Sequence, residues 1–191
     1  MKKNLMCLCL VLMPLTAFAE TAPESHNTWN PYISWTGAIM ASDVKIKHDD
    51  FFDFGGKSAF AIGARHNRWR AELAYDVHAE VSELFQTLAG HTVALGNESV
   101  RINGYYDYVS TKHFFMFIGA GMGPNWYDYT ISEPYINRTR KGKGVSFATG
   151  ANTGLGFNIW KFSIDLGFGF DYITYPRVYS YGPNMGLRFT F

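Results

Sequence analysis

Beyond its first ten residues the chain has no cysteine, since its two cysteines are Cys7 and Cys9. A small exported domain without disulfides must be stabilised in some other way. Charge is scarce too. Charged residues make up 17% of the chain, against ~25% in soluble domains. The formal net charge of +1 offers no basic face of the kind nucleic-acid binders carry. Past the N-terminus no apolar run approaches the ~20 residues that a membrane-spanning helix requires. The chain is instead rich in glycine and aromatics, with 19 Gly, 12 Tyr and 16 Phe. Such a composition, without spanning helices, points to an all-β protein.

The N-terminus reads as an export signal. Lys2 and Lys3 form a basic start, Leu5 to Leu15 a short apolar run, and Ala17-Phe18-Ala19 a small-residue cleavage site. Residues 1–19 are therefore expected to be a signal peptide, and 20–191 one domain of a size that suits a single fold. Cys7 and Cys9 lie far from the cleavage site, so no lipid anchor is expected on them.

Period-two alternation dominates the rest. In WKFSIDLGFGFDY, Phe162, Ile164, Leu166, Phe168, Phe170 and Tyr172 alternate with Lys161, Ser163, Asp165, Gly167, Gly169 and Asp171. That is a strand with two unlike faces. The same pattern recurs in Pro31 to Ala41, Lys57 to His66, Arg68 to Ala79, Ser99 to Val109, Gly144 to Phe157 and Asn184 to Phe191. It is weaker in His113 to Gly123, where both faces start apolar. About eight strands result, each near the ~9–11 residues of a tilted spanning strand. The connections alternate. Asn67-Arg68, Ser110 to Lys112 and Asn158 to Trp160 are short. Asp43 to Gly56, Glu80 to Glu98, Pro124 to Lys143 and Ile173 to Gly182 read as long loops, with a helical turn possible at Val81 to Leu88. Short turns at one end and long loops at the other are the habit of outer-membrane barrels.

A soluble sandwich would turn the greasy face inward, whereas a membrane barrel turns it to lipid. The chain ends on Met185, Leu187, Phe189 and Phe191 at steps of two. A final strand ending in Phe resembles the signal read by the outer-membrane barrel assembly machinery, with Leu187, Phe189 and Phe191 as its residues. The reading is an antiparallel, up-and-down transmembrane barrel of about eight strands, both ends periplasmic. Only a closed sheet pairs every backbone group in lipid. Trp35, Trp69, Trp126, Trp160, Tyr106, Tyr108 and Tyr172 fall near predicted strand ends, where amphipathic rings settle at the headgroup boundary.

The segments FAIGARHNRWRAELAYD, INGYYDYVSTKHFFMFIGAGMG, GANTGLGFNIWKFSIDLGFGFDY and GLRFTF resemble the opacity-type barrels of bacterial outer membranes, a family that includes the small neisserial surface protein. The membrane domain of outer membrane protein A is a more distant likeness. The whole reading is of a monomeric protein of the Gram-negative outer membrane that is not an enzyme. The resemblance implies adhesion or immune evasion through surface loops, a structural contribution to the membrane, and host surface or serum proteins as partners.

The inward faces collect Arg65, Arg70, Glu72, Asp76, Arg101, Asp107, Lys161, Asp165, Asp171 and Arg188. A narrow barrel is filled by its side chains, and buried charges must pair, so a polar plug is expected. A gated ion path is the alternative. Gly63, Gly119, Gly121, Gly154, Gly156, Gly167 and Gly169 share that face and make room for long side chains. A lipid A-modifying enzyme would need Ser, His and a carboxylate to converge. His78 shares a face with Asp76 and His113 sits at a turn, but no H-x-S pair is present. No residue spacing suggests a metal site or cofactor. GAGMG, at Gly119 to Gly123, lies in a strand with no helix after it and is not a nucleotide loop. The basic run Arg138, Arg140, Lys141 and Lys143 suits lipopolysaccharide phosphates. Asp49, Asp50 and Asp53 are interspersed with Phe51, Phe52 and Phe54, which suits either a binding surface or a self-packed extension of the strands.

Overall fold

The computed structural model describes residues 28–46, 49–80, 92–133 and 138–191. The expected signal peptide and the helical turn at Val81 to Leu88 lie outside them. The described chain forms eight strands: β1 (Asn30–Ile46), β2 (Asp49–His66), β3 (Trp69–Glu80), β4 (Thr92–Ser110), β5 (Phe114–Glu133), β6 (Arg138–Ile159), β7 (Phe162–Ile173) and β8 (Arg177–Thr190). Each pairs antiparallel with its neighbour, and β1 pairs with β8, from Tyr32 opposite Thr190 to Lys45 opposite Arg177, closing the barrel. The all-β, up-and-down barrel expected from the alternation is the fold observed.

The greasy face points outward. Ile39, Phe60, Ile62, Ile102, Ile118, Met122, Phe168 and Leu187 all stand exposed on the outer wall. So does the apolar series of WKFSIDLGFGFDY, with Phe162, Leu166, Phe168 and Phe170, while Ser163 and Asp171 are buried inside. An apolar belt of this extent around a closed sheet is a surface for lipid, because water gains nothing by covering it and the closed ladder pairs the backbone strand to strand. Rings collect at the end where β1 begins and β8 finishes. Trp69 packs on Tyr106, Phe114 on Phe157, and Phe162 on Phe189, which in turn meets Phe191.

The turns at that end are tight. Asn67 takes a left-handed φ of 53° in the β2–β3 turn, which Asn tolerates. Trp160 takes φ 58° in the β6–β7 turn, so that turn is Trp160-Lys161 and ends one residue later than the expected Asn158 to Trp160.

The opposite end departs from expectation. Asp43 to Gly56 is not a loop, because β1 and β2 stay in register as far as Ile46 opposite Asp49. Pro124 to Lys143 is a hairpin, paired out to Glu133 opposite Arg138. Between Ile173 and Arg177 only a tight turn remains. Strand length shows the consequence. β7 has 12 residues, about 40 Å of chain, which at a 45° tilt just crosses an apolar band ~25 Å tall. β6 has 22 residues, about 70 Å of chain, and runs far past that band.

Candidate functional site

The interior is built in layers. Nearest the start of β1, the Arg70 guanidinium lies 4.7 Å from the Tyr105 ring centre, 4.8 Å from Phe117 and 5.4 Å from Phe115. Such a bed favours a planar cation. The same arginine donates from Nε to Asp107 Oδ1 at 3.1 Å and meets Asp165 at 3.5 Å. Arg65 reaches Asp107 at 3.0 Å, and Arg188 reaches Asp165 at 3.3 Å. Tyr32 donates its hydroxyl to Glu72 at 2.9 Å. Three arginines thus face three carboxylates. The layer is neutral as a whole, which is the condition for holding so many charges away from water.

A second layer lies further along. Arg101 bridges Asp76 and Asp171. Lys57 meets Asp171 at 2.8 Å, and Ser99 donates to Asp76 at 3.2 Å. Two cations again face two carboxylates, with His78 buried beside them. Small and neutral polar residues separate the layers, Asn184 donating to Asn152 at 3.1 Å. The space they leave is a cavity of about 70 Å³, lined by Thr36, Asn103 and Asn152 among others, room for a few waters. Beyond the second layer come Asn125, donating to Asn97 and Ser146, and the Ser42–Ser180 pair at 2.8 Å.

At the outer mouth the interior changes character. Val44, Leu95, Tyr129, Ile131, Ala148, Ile173 and Val178 form a buried apolar cluster, with Tyr127 packed against it. Tyr127 stacks on Tyr129, and the turn residue Tyr175 meets Tyr127 edge-on at 5.4 Å. Burial, then a hydrogen bond with Tyr175, pushes the Tyr129 phenol above its ordinary pKa, so it stays neutral. The outward faces change in step. On β1 the outward series passes from Ile39 to Asp43 and Lys45 while the inward series passes from Ser34 and Thr36 to Val44. On β5 the outward Met122 and Trp126 give way to Asp128 and Thr130, and the inward Asn125 to Tyr129 and Ile131. On these two strands the hydrophobic phase inverts where the lipid belt ends.

Of the expected interior charges, Arg65, Arg70, Glu72, Asp76, Arg101, Asp107, Asp165, Asp171 and Arg188 all lie inside. Lys161 does not. It stands exposed in the β6–β7 turn, 5.8 Å from the Trp160 ring, because that turn falls later than expected. Lys57 is the interior cation that sequence reasoning missed. It opens a predicted strand, but its even spacing with Ala59, Ala61 and Arg65 marks the inward face. The inward glycines make room as expected. A Cβ on Gly63 would meet the Tyr32 ring, one on Gly119 the Tyr105 ring, and one on Gly156 the Phe115 ring.

The described residues of the basic run do not share one face. Lys141 and Lys143 are exposed on the outward face of β6, whereas Arg140 is on the inward face. In a strand the four cannot share a side. Phe52 and Phe54 project outward on β2 and pack edge to face at 5.3 Å, with Ser58 and Gly56 separating them from Phe60 of the lipid belt. The rest of that aspartate–phenylalanine series has side chains outside the described ones. Leu187 and Phe189 face outward on β8 beside β7, and Phe191 follows it. Among the described residues, hydrogen-bonded serine hydroxyls meet Asp76, Asn125, Asn158, Trp35, Arg65 and each other, with no histidine partner.

Neisserial surface protein A superposes with a TM-score of 0.63 at 15% identity, over 84% of this chain and 97% of that one. The fold is that of the small outer-membrane barrels. Ail, the attachment invasion locus protein of Yersinia pestis, covers 84% of this chain and 98% of its own at a TM-score of 0.54 and 16% identity. A major outer membrane protein of Thermus thermophilus covers 85% and 99% at a TM-score of 0.57 and 10% identity. No family model and no curated protein matches the sequence.

Proposed function

We propose that this chain is a bacterial outer-membrane surface protein without enzymatic activity, exported by its N-terminal signal, that engages host surface or serum proteins through the part of the barrel above the lipid and adds to the membrane's structure. One observation carries the reading: the strands continue past the lipid belt as a walled extension with its own apolar core. That core holds the outer wall rigid, and the wall displays Phe52 and Phe54, at 57% and 44% exposure, with Lys141 and Lys143 elsewhere on it. Large exposed rings with a polar surround mark contact surfaces. The neighbouring fold of an attachment invasion locus protein agrees with this role. The two lysines are also placed to meet lipopolysaccharide phosphates. The interior speaks against a channel, since each charged layer is neutral and the mouth is closed by packed apolar side chains.

The test is adhesion. Cells displaying the intact chain are compared with cells displaying Phe52→Ser/Phe54→Ser and with a version whose β5–β6 hairpin is cut back to Asp128 and Lys143. Equal surface amounts and lost binding of host cells or serum proteins in the variants support the reading. Failure of the intact chain to bind either would overturn it.

A further inference from the structure

β6 overruns its neighbour. Its pairing with β7 ends where Ala148 faces Ile173, but its pairing with β5 continues to Arg138. Between Arg138 and Phe147 one side of β6 therefore has no described strand beside it. The direction of the backbone groups follows from a single contact. Phe147 donates its N–H to Thr174 Oγ1 at 3.1 Å, and its carbonyl accepts from the Thr174 N–H at 2.9 Å, so its polar groups point to the β7 side. Alternate residues of a strand point the same way. The N–H and C=O groups of Val145, Lys143, Lys141 and Thr139 are therefore directed at that open side.

The edge is rigid and charged. Gly142 and Gly144 would weaken a strand on their own, but the Tyr129 and Tyr127 rings lie over them, so closely that a Cβ would come to 2.5 Å and 2.6 Å of those side chains. From Arg138 to Val145 the strand carries Arg138, Arg140, Lys141 and Lys143 and no acid. Unpaired strand edges are templates for another chain. A second copy docked edge to edge would set these cations against one another. An extended segment rich in Asp or Glu would meet both requirements at once, its backbone continuing the sheet and its side chains reaching Lys141 and Lys143.

We infer that the outer edge of β6, from Thr139 to Val145, captures an acidic, extended peptide segment of a partner protein as an added strand. This rests on the surface-interaction reading and names its partner chemistry.

The test uses the full chain refolded in lipid nanodiscs, with a fluorescent peptide alternating Glu and Val as probe. Saturable binding is expected, with new hydrogen-exchange protection at the amides of Lys141, Lys143 and Val145. Lys143→Pro, which removes one edge N–H, should weaken binding by about tenfold or more. Lys141→Gln with Lys143→Gln should weaken it less, and a Lys–Val peptide should not bind. No saturable binding, unprotected amides in the wild type, an unaffected proline variant, or full displacement by millimolar inorganic phosphate would each overturn the strand-addition proposal. The last would mark a side-chain anion site instead. On cells, wild-type adhesion that persists in Lys143→Pro removes this edge while leaving the surface role intact. Loss of adhesion by the wild type itself removes that role.

Discussion

Along β1 and β5 the barrel wall is built twice, with opposite polarity. Up to Ala41 and Trp126 it is apolar outside, and inside it is polar or small apart from Met40 and the Phe115 and Phe117 rings beneath Arg70. From Asp43 and Asp128 onward it is polar outside and apolar inside. The backbone is the same in both parts. What differs is the solvent, lipid around the first and water around the second, and each part turns its apolar face toward the medium or the core that accepts it. The two interiors are stable for different reasons. The lipid-level interior depends on charge balance and fails if one partner is removed. The mouth depends on packed volume, and its losses scale with the atoms deleted.

The largest expected effect tests charge balance. Arg101→Met leaves Asp76 and Asp171 sharing the single positive charge of Lys57, and should cost ~3–5 kcal/mol, read as a lower urea midpoint for folding into lipid vesicles. Adding Asp76→Asn restores one cation to one carboxylate, and recovery of most of that loss is expected. If the double variant is no better than the single one, balance is not what holds the layer.

Ile173→Ala probes the mouth. A buried isoleucine lost from the apolar cluster should cost ~2–4 kcal/mol by the same titration. Single-channel conductance in a planar bilayer should stay near zero, because both ion layers remain below the opened mouth. Conductance rising in this variant alone would make the mouth, rather than the plug, the seal.

Gly119→Ala is smaller. Its methyl would collide with the Tyr105 ring, which supports Arg70, and ~1–3 kcal/mol of overpacking is expected. The smallest effect belongs to the outer wall. Lys143→Gln, on an exposed position, should leave the urea midpoint unchanged and alter only the binding of acidic or phosphate-bearing partners.

The lipid-level barrel was legible because its alternation is long and one-signed. Trp69 to Ala79 and Phe162 to Tyr172 name their own outward faces, and the inward charges follow by parity. The outer extension was not legible as strand. Asp43 to Ile46 and Tyr127 to Ser132 alternate just as well, but in the opposite phase, and a phase inversion between two short runs looks like a loop when only one face is followed. The signal was present in Val44 against Asp43 and Lys45, and in Tyr127, Tyr129 and Ile131 against Asp128, Thr130 and Ser132. Lys161 was misplaced for a related reason, since a turn that ends one residue later takes that residue's side chain out of the interior.

By itself the sequence determined the class of fold, the number of strands, the face each lipid-level strand turns outward and most of the charges it must bury, because period-two patterning is a local property. Only the closed structure decided which charges meet. Arg101 joins Asp76 on β3 to Asp171 on β7, and Lys57 on β2 reaches Asp171 across the barrel. Those pairings depend on register and on the curvature that brings distant strands face to face. The open edge of β6 is of the same kind. It exists because β7 stops at Ile173 while β6 runs on to Arg138, a difference between two partners that neither strand's own residues contain.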